Sequence, residues 1–327
     1  MKKLNIGIIG LGTIGKVHLR NCLNIKNIRL TAVADLSAKS LRLAKRLGVK
    51  NVYKDYNELL RKSEVEAVII ALPQYLHLES FIASAENQKH VLLEKPIARN
   101  IGEGKEIVKA AKKYDIKAMV GYPLRFSEQF RIPRLKMLNG ELGEIEIAYA
   151  TNISTGPFVH RIDTGAPTPV PNWWWNKDLV GGGALLDLGS HMIDLARWYF
   201  GKVIDAKSHL GYRFGLKQDD HAICHLKFKN GQNVIISAGW FSQKSQIRLN
   251  LHGTAGHLTA DYYKPLKKSE TILQTLNRQP SFFDLPYIDE IRHFVYCIQK
   301  NKQPEPSCKS ALCDLEVIEK AYLNQIF

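Results

Sequence analysis

From residue 4 to residue 122 the chain alternates short apolar runs with helix-patterned segments, and no other feature restricts its fold so tightly. Apolar runs at 4–9, 28–35, 51–53, 66–72, 90–95 and 116–122 are separated by helical patterns at 13–23, 38–47, 55–62, 76–87 and 102–114. Strands apolar on both faces and joined by helices build a parallel sheet covered on both sides. Ligands of such sheets lie beyond the carboxyl ends of the strands. "ALP" (71–73) and "EKP" (94–96) fall at two of those ends, so Pro73 and Lys95 are expected to face one crevice.

The first strand, "LNIGII", runs directly into "GLGTIG", which has glycines at Gly10, Gly12 and Gly15 and opens a helix. In a strand–turn–helix context the first glycine permits the tight turn. The second leaves no Cβ between backbone and a pyrophosphate, and the third lets helix and strand pack closely. Asp35 closes the second strand about twenty residues later, where a carboxylate takes the ribose hydroxyls of a dinucleotide. It repels a 2′-phosphate, and Leu36 follows it rather than an arginine, so NAD is expected in preference to NADP. The plainer alternative makes Asp35 a cap for the next helix.

With 327 residues, two domains are expected, a dinucleotide-binding one over 1–122 and a second over 123–327. No run of 18 apolar residues offers a membrane span. "MKKLNIGIIGLG" has a short, glycine-broken apolar part and reads as a strand rather than a signal peptide, so a cytoplasmic protein is expected. Five cysteines are scattered without a C-x-x-C pair. The formal charge of +15 raises the question of nucleic acid, but the basic residues are dispersed and no nucleic-acid partner is expected.

Beyond residue 123 a helix at 127–139 precedes a region dominated by strands, at 144–154, 203–213, 220–228, 232–241 and 246–253, with "KNGQ" (229–232) as a hairpin turn. Segment 264–284 reads as a surface insertion, and helices at 287–300 and 309–325 finish the chain. The predicted class is therefore α/β, a Rossmann parallel sheet followed by an α+β domain with an open, mostly antiparallel sheet. One broad apolar face of that open sheet is left over, which predicts a homodimer or homotetramer formed through it.

Within "GGGALLDLGSHMIDL" (181–195), Asp187 and His191 stand four apart on one helical face and Asp194 follows three later, among leucines that imply burial. Glycines 181–183 would let substrate or nicotinamide approach the backbone. A buried acid and imidazole are costly unless paired or employed. Either a satisfied core Asp–His hydrogen bond or a catalytic pair accounts for them.

The chain resembles the glucose-fructose oxidoreductase, inositol dehydrogenase and MocA family of nicotinamide-dependent sugar and polyol oxidoreductases. The resemblance rests on "GIIGLGTIG", "ALPQYLH" (71–77), "EKP", "GYPLRF" (121–126) and "WWWNKDLVGGGALLDLGSHMIDLARW" (173–198). It implies that Lys95 joins Asp187 and His191 in the catalytic group. His191 is the candidate base, since imidazole ordinarily titrates near pH 6.5. Lys95 would donate to the same substrate oxygen, and Asp187 would orient substrate or hold the lysine charged. The candidate cofactor contacts are Gly10, Gly12, Thr13, Ile14, Gly15, Asp35, Leu72, Pro73, His77, Glu94 and Lys95. The candidate substrate contacts are Lys95, Tyr122, Arg125, Trp175, Asp187 and His191, with a secondary alcohol or ketone of a cyclic sugar, polyol or nucleotide sugar as substrate and no metal.

Several residues keep two readings. His77 touches cofactor or substrate, or caps its helix; Arg125 binds an anion, or forms an interdomain salt bridge. Trp173, Trp174 and Trp175, held by Pro169 and Pro171, wall a sugar site or plug the domain interface. His221 and His225 lie about 13 Å apart on a strand, too far for one metal ion. Pro123, Leu124 and Asn176 stand where the family often has polar or basic residues, so its usual contacts there are not carried over. A non-catalytic dinucleotide sensor or scaffold is the alternative to an enzyme.

Overall fold

The computed structural model describes residues 3–158, 171–264 and 284–326. The chain forms two compact units, one of Met1–Pro123 and Pro280–Leu312, the other of Leu124–Gln279 and Cys313–Phe327. A single cut between 122 and 123 is therefore corrected: the chain returns to the first unit near its C-terminal end.

In the first unit the strands are β1 (Leu4–Ile9), β2 (Ile28–Ala34), β3 (Asn51–Tyr53), β4 (Ala67–Ile70), β5 (His90–Glu94) and β6 (Ala118–Gly121). The helices between them are α1 (Thr13–Asn24), α2 (Ala38–Arg46), α3 (Tyr56–Lys62), α4 (His77–Glu86) and α5 (Ile101–Lys113). All strand pairs are parallel, in the order β3-β2-β1-β4-β5-β6. The order reverses between β1 and β4, the switch point where such sheets bind ligands. Every residue of β4 is fully buried, as a strand covered on both faces requires. Ser37, Asp55 and Asn100 cap α2, α3 and α5 by accepting backbone N–H groups, which fixes where each crossover begins.

Helix α9 (Leu285–Gln299) packs on α1 and β5. Beyond it, Pro306 accepts from Val120 N at 3.0 Å, and Ser307 bridges to Met119. These contacts extend the edge of the parallel sheet with chain that lies far off in sequence, which local pattern does not reveal.

The second unit contains α6 (Glu128–Leu138), β7 (Ile145–Ile153), α7 (Lys177–Val180), a wide π turn (Leu185–Gly189) and α8 (Ser190–Phe200). It continues with β8 (Val203–Gly211), β9 (His221–Phe228), β10 (Asn233–Gly239), β11 (Gln246–Gly253) and β12 (Gly256–Asp261); α10 (Cys308–Leu323) follows α9. Its sheet has the order β12-β11-β7-β10-β9-β8. β7 and β10 pair in parallel and all other pairs are antiparallel. The hairpin expected at 229–232 joins β9 to β10. Strand β12 had no counterpart in the sequence reading, because "GHLTAD" is short and largely polar.

The inner sheet face is apolar: Ala148, Ala150, Cys224, Leu226, Val234, Ile236, Leu249 and Leu251 are buried, and the π turn and α8 pack on β7 and β10. The outer face carries Ile147, Tyr149 and Ile223, all exposed, interleaved with His225, Lys227 and His252. It is more polar than the broad apolar face expected. Residues 265–283, most of the expected surface insertion, lie outside the described residues.

Candidate active site

Each of the three glycines after β1 meets a different constraint. Gly10 has φ +92°, and a Cβ there would lie 2.5 Å from Ala71 O; a Cβ on Gly15 would lie 2.0 Å from Gly10 O. Packing alone requires both to be glycine. A Cβ on Gly12 would meet nothing within 4 Å, so the fold does not need glycine there. An open cradle at the N-terminus of α1, with Thr13 and Ile14 half-buried in its first turn, fits a phosphate group held by N–H donors and the helix dipole. Asp35, at the end of β2, accepts from Leu11 N at 2.5 Å and Ser37 N at 2.7 Å. Its carboxylate is thereby locked beside the glycine turn, while Ser37, not Asp35, caps α2. Together these residues suit a dinucleotide.

Leu72 and Pro73, half-buried, follow β4. His77 is fully buried, with Nδ1 2.9 Å from Pro96 O and Nε2 3.0 Å from Leu72 O. It ties the chain leaving β4 to the chain leaving β5. Burial lowers its pKa against the pull of the two carbonyls. Glu94, expected near cofactor, is buried and pairs with His18 of α1 at 2.6 Å; its other oxygen accepts from Lys95 N at 3.3 Å. Half-buried Lys95 therefore extends from a loop gripped by His18–Glu94 on one side and His77 on the other.

Lys95 belongs to the first unit, and Asp187 and His191 to the second. Asp187 sits in the π turn and His191 in the first turn of α8, both half-buried. Such wide turns recur at functional sites. Trp240 Nε1 donates to Asp187 Oδ2 at 3.2 Å, and Asn152 Nδ2 donates to Leu188 O at 3.1 Å. Asp219 accepts from Gly183 N and Leu185 N at 3.1 and 2.8 Å. Trp240, Asn152 and Asp219 were not identified from sequence. Each lies on another strand or loop, and only the sheet brings it to the helix.

Asp194 is separate from this group. Fully buried, it receives both arms of Arg125, Nε at 2.8 Å and Nη2 at 2.6 Å. The expected interdomain salt bridge is thus an ion pair within the second unit. Burial raises the Asp194 pKa against the pull of Arg125. Arg197 pairs in turn with buried Asp314, whose pKa is pushed well up by burial and by Asp194.

Tyr122 is 1% exposed and belongs to the core of its unit. Trp173 and Trp174 stack at 5.3 Å, and Trp174 meets Trp240 edge-on at 6.2 Å, so an aromatic row leads to Asp187. Trp175 is half-buried beside it, and Pro169 lies outside the described residues. Asn176 caps α7 by accepting from Asp178 N at 3.0 Å, which explains its presence. His221 pairs with Asp220 at 2.6 Å and His225 with Asn233 at 3.0 Å. Among the described residues no cluster suits a metal ion, and no helix is long and apolar enough to cross a membrane.

Family models match most of the chain: residues 4–122 match the oxidoreductase family with an NAD-binding Rossmann fold, and 136–259 match the C-terminal domain of the GFO/IDH/MocA family. Myo-inositol 2-dehydrogenase of Thermotoga maritima is 28% identical over 323 residues, 93% of this chain and 91% of that protein. Levoglucosan dehydrogenase of Pseudarthrobacter phenanthrenivorans is 26% identical over 300 residues, 80% of this chain and 74% of that protein. The crystal structure of a probable dehydrogenase from Thermotoga maritima superposes with a TM-score of 0.84 at 26% identity, over 98% of this chain and 96% of that one.

Proposed function

Because the chain belongs to the GFO/IDH/MocA oxidoreductase family, we propose that it is an NAD-dependent dehydrogenase acting on a secondary hydroxyl of a cyclic sugar or polyol. The observation that carries this reading is the half-buried Asp187 and His191, four residues apart on a segment fixed from three sides. The C-terminal domain thus displays an acid and a base together on one segment. Relatives named for myo-inositol and levoglucosan support the substrate class.

His191 takes the proton of the substrate hydroxyl as the carbinol carbon becomes a carbonyl carbon. Lys95 donates a hydrogen bond to the same oxygen and stabilises the alkoxide character that develops there. Asp187, aimed by Trp240, orients the reacting group. When bound, nicotinamide would supply the hydride acceptor. Gly10, Gly12, Gly15 and the first turn of α1 would hold its pyrophosphate, and Asp35 its adenosine ribose. In the reverse reduction His191 or Lys95 returns the proton.

The test is a panel of inositols, aldoses, sugar phosphates and nucleotide sugars read by NADH absorbance. Lys95→Ala and His191→Ala are each expected to lose about 100-fold or more in kcat, as removal of a general acid–base group does. Undiminished turnover in both overturns the assignment, and NADH binding without turnover on any substrate makes the chain a sensor.

We also infer a homo-oligomer assembled through the outer sheet face around Ile147, Tyr149 and Ile223, and a dilute monomer by light scattering would contradict it. All five cysteines are thiols and not disulfide halves, as in reducing compartments, and we place the protein in the cytoplasm.

A further inference from the structure

We propose that Asp219, together with Tyr322, is a positioning pair: it sets the placement of Asp187 and His191 by anchoring the start of the segment that carries them. The inference rests on reading those two side chains as the acting groups.

The first amides of any helix lack partners within it. Here three successive ones end on a single residue: Gly183 N reaches Asp219 Oδ1 at 3.1 Å, Ala184 N the Asp219 carbonyl at 2.8 Å, and Leu185 N Oδ2 at 2.8 Å. Tyr322 of α10 closes the arrangement, donating its hydroxyl to Asp219 Oδ1 at 2.8 Å and accepting from Gly183 N at 3.2 Å. Asp219 is 2% exposed; burial pushes its pKa up against the pull of the Leu185 amide, the Tyr322 hydroxyl and the Gly183 amide, so these donors and not water solvate its carboxyl.

The glycine run follows from this clamp. Gly181, at φ +82°, ends α7 in the left-handed region. A Cβ on Gly182 would lie 2.7 Å from the Tyr322 hydroxyl, and one on Gly183 only 1.9 Å from Asp219 O. The glycines admit the anchor, where the sequence suggested an approaching ligand. Asp187 N donates to Gly183 O at 2.9 Å, so the acid's backbone hangs directly from the anchored residue. A π turn has poorer internal constraint than an α-helix, and its phase is set by what grips its ends, Asp219 at the start and Asn152 at Leu188.

Three variants test this: Asp219→Ala, Asp219→Asn and Tyr322→Phe. Each is assayed for thermal unfolding, NADH affinity, kcat and KM on the substrate found in the panel, and amide exchange of the peptide spanning 183–192. Asp219→Ala is expected to speed exchange there and to lower kcat by about tenfold or more, the effect of losing a charged acceptor. NADH affinity and KM should stay within about threefold, the split that marks lost transition-state alignment. Asp219→Asn, which keeps one acceptor oxygen, should recover part of both, and Tyr322→Phe should fall between. A folded Asp219→Ala chain with parental exchange and kcat overturns the proposal. If that variant does not fold, parental exchange and kcat in Tyr322→Phe overturn it instead. Should no substrate turn over, exchange still decides the anchor, and the functional reading alone fails.

Discussion

Trp240 holds Asp187: its indole N–H reaches Oδ2 at 3.2 Å, while its ring is 1% exposed and edge-on to Trp174. The acid expected to orient the substrate is itself aimed by a residue 53 positions away. Trp240→Phe keeps an aromatic ring, deletes the donor and leaves part of the indole volume empty. It should lower kcat by about tenfold, the worth of a hydrogen bond to a charged group, with a modest loss of stability from the smaller ring. Steady-state kinetics decide this, and parental kcat in a folded variant would remove the role.

Gly12 and Gly15 should respond differently to a single methyl group. Nothing lies within 4 Å of a Cβ on Gly12, whereas one on Gly15 meets the Gly10 carbonyl at 2.0 Å. Gly12→Ala should keep stability within about 1 kcal/mol, since the position is an exposed N-cap, yet weaken NADH. Gly15→Ala should cost about 2 kcal/mol or more through overpacking. Denaturant unfolding and NADH titration separate the two. Unimpaired binding by Gly12→Ala would deny the cradle its ligand.

Arg125→Ala leaves the Asp194 carboxyl buried without its bidentate partner. Breaking such a pair costs about 3–5 kcal/mol, softened here because burial already pushes the Asp194 pKa up and lets it protonate. The double change Arg125→Met with Asp194→Leu should cost less than Arg125→Ala alone. A folded Arg125→Ala enzyme of parental stability but raised KM would instead make Arg125 a substrate contact.

Stability should depend on pH through His77. Burial lowers its pKa below the ordinary 6.5, so between the two values the unfolded chain binds more protons than the folded one. Stability from this group is complete above pH 6.5 and is lost as the pH falls below it, by at most about 1.4 kcal/mol per pH unit. Denaturation at pH 7.5, 6.0 and 5.0 should show this slope, and His77→Gln should flatten it. Identical slopes in the two chains would place the titration elsewhere.

Gly10, Gly15 and the parallel strands of the first unit could be read from sequence because close packing there admits few residue types, and because apolar runs mark strands buried on both faces. The same local logic singled out Asp187 and His191. It did not reveal the partners of Glu94 and Arg125, since a carboxylate at a strand end and an arginine at a domain boundary look the same whether they face a ligand, His18 or Asp194. Asp219 and Trp240 left no local sign: the first meets Gly183 across 36 positions, the second Asp187 across 53. The return of α9 to the first unit was hidden for the same reason.

The π turn at Leu185–Gly189 is in effect one surplus residue lodged in a helix. Removing it, for instance by deleting Leu188, would regularise the coil and bring Asp187 and His191 from four residues apart to three. The two would still share a helical face, but the imidazole would meet the acid from a different angle. In this chain the spacing of acid and imidazole is therefore set by one residue of backbone, and not by the identity of any side chain between them.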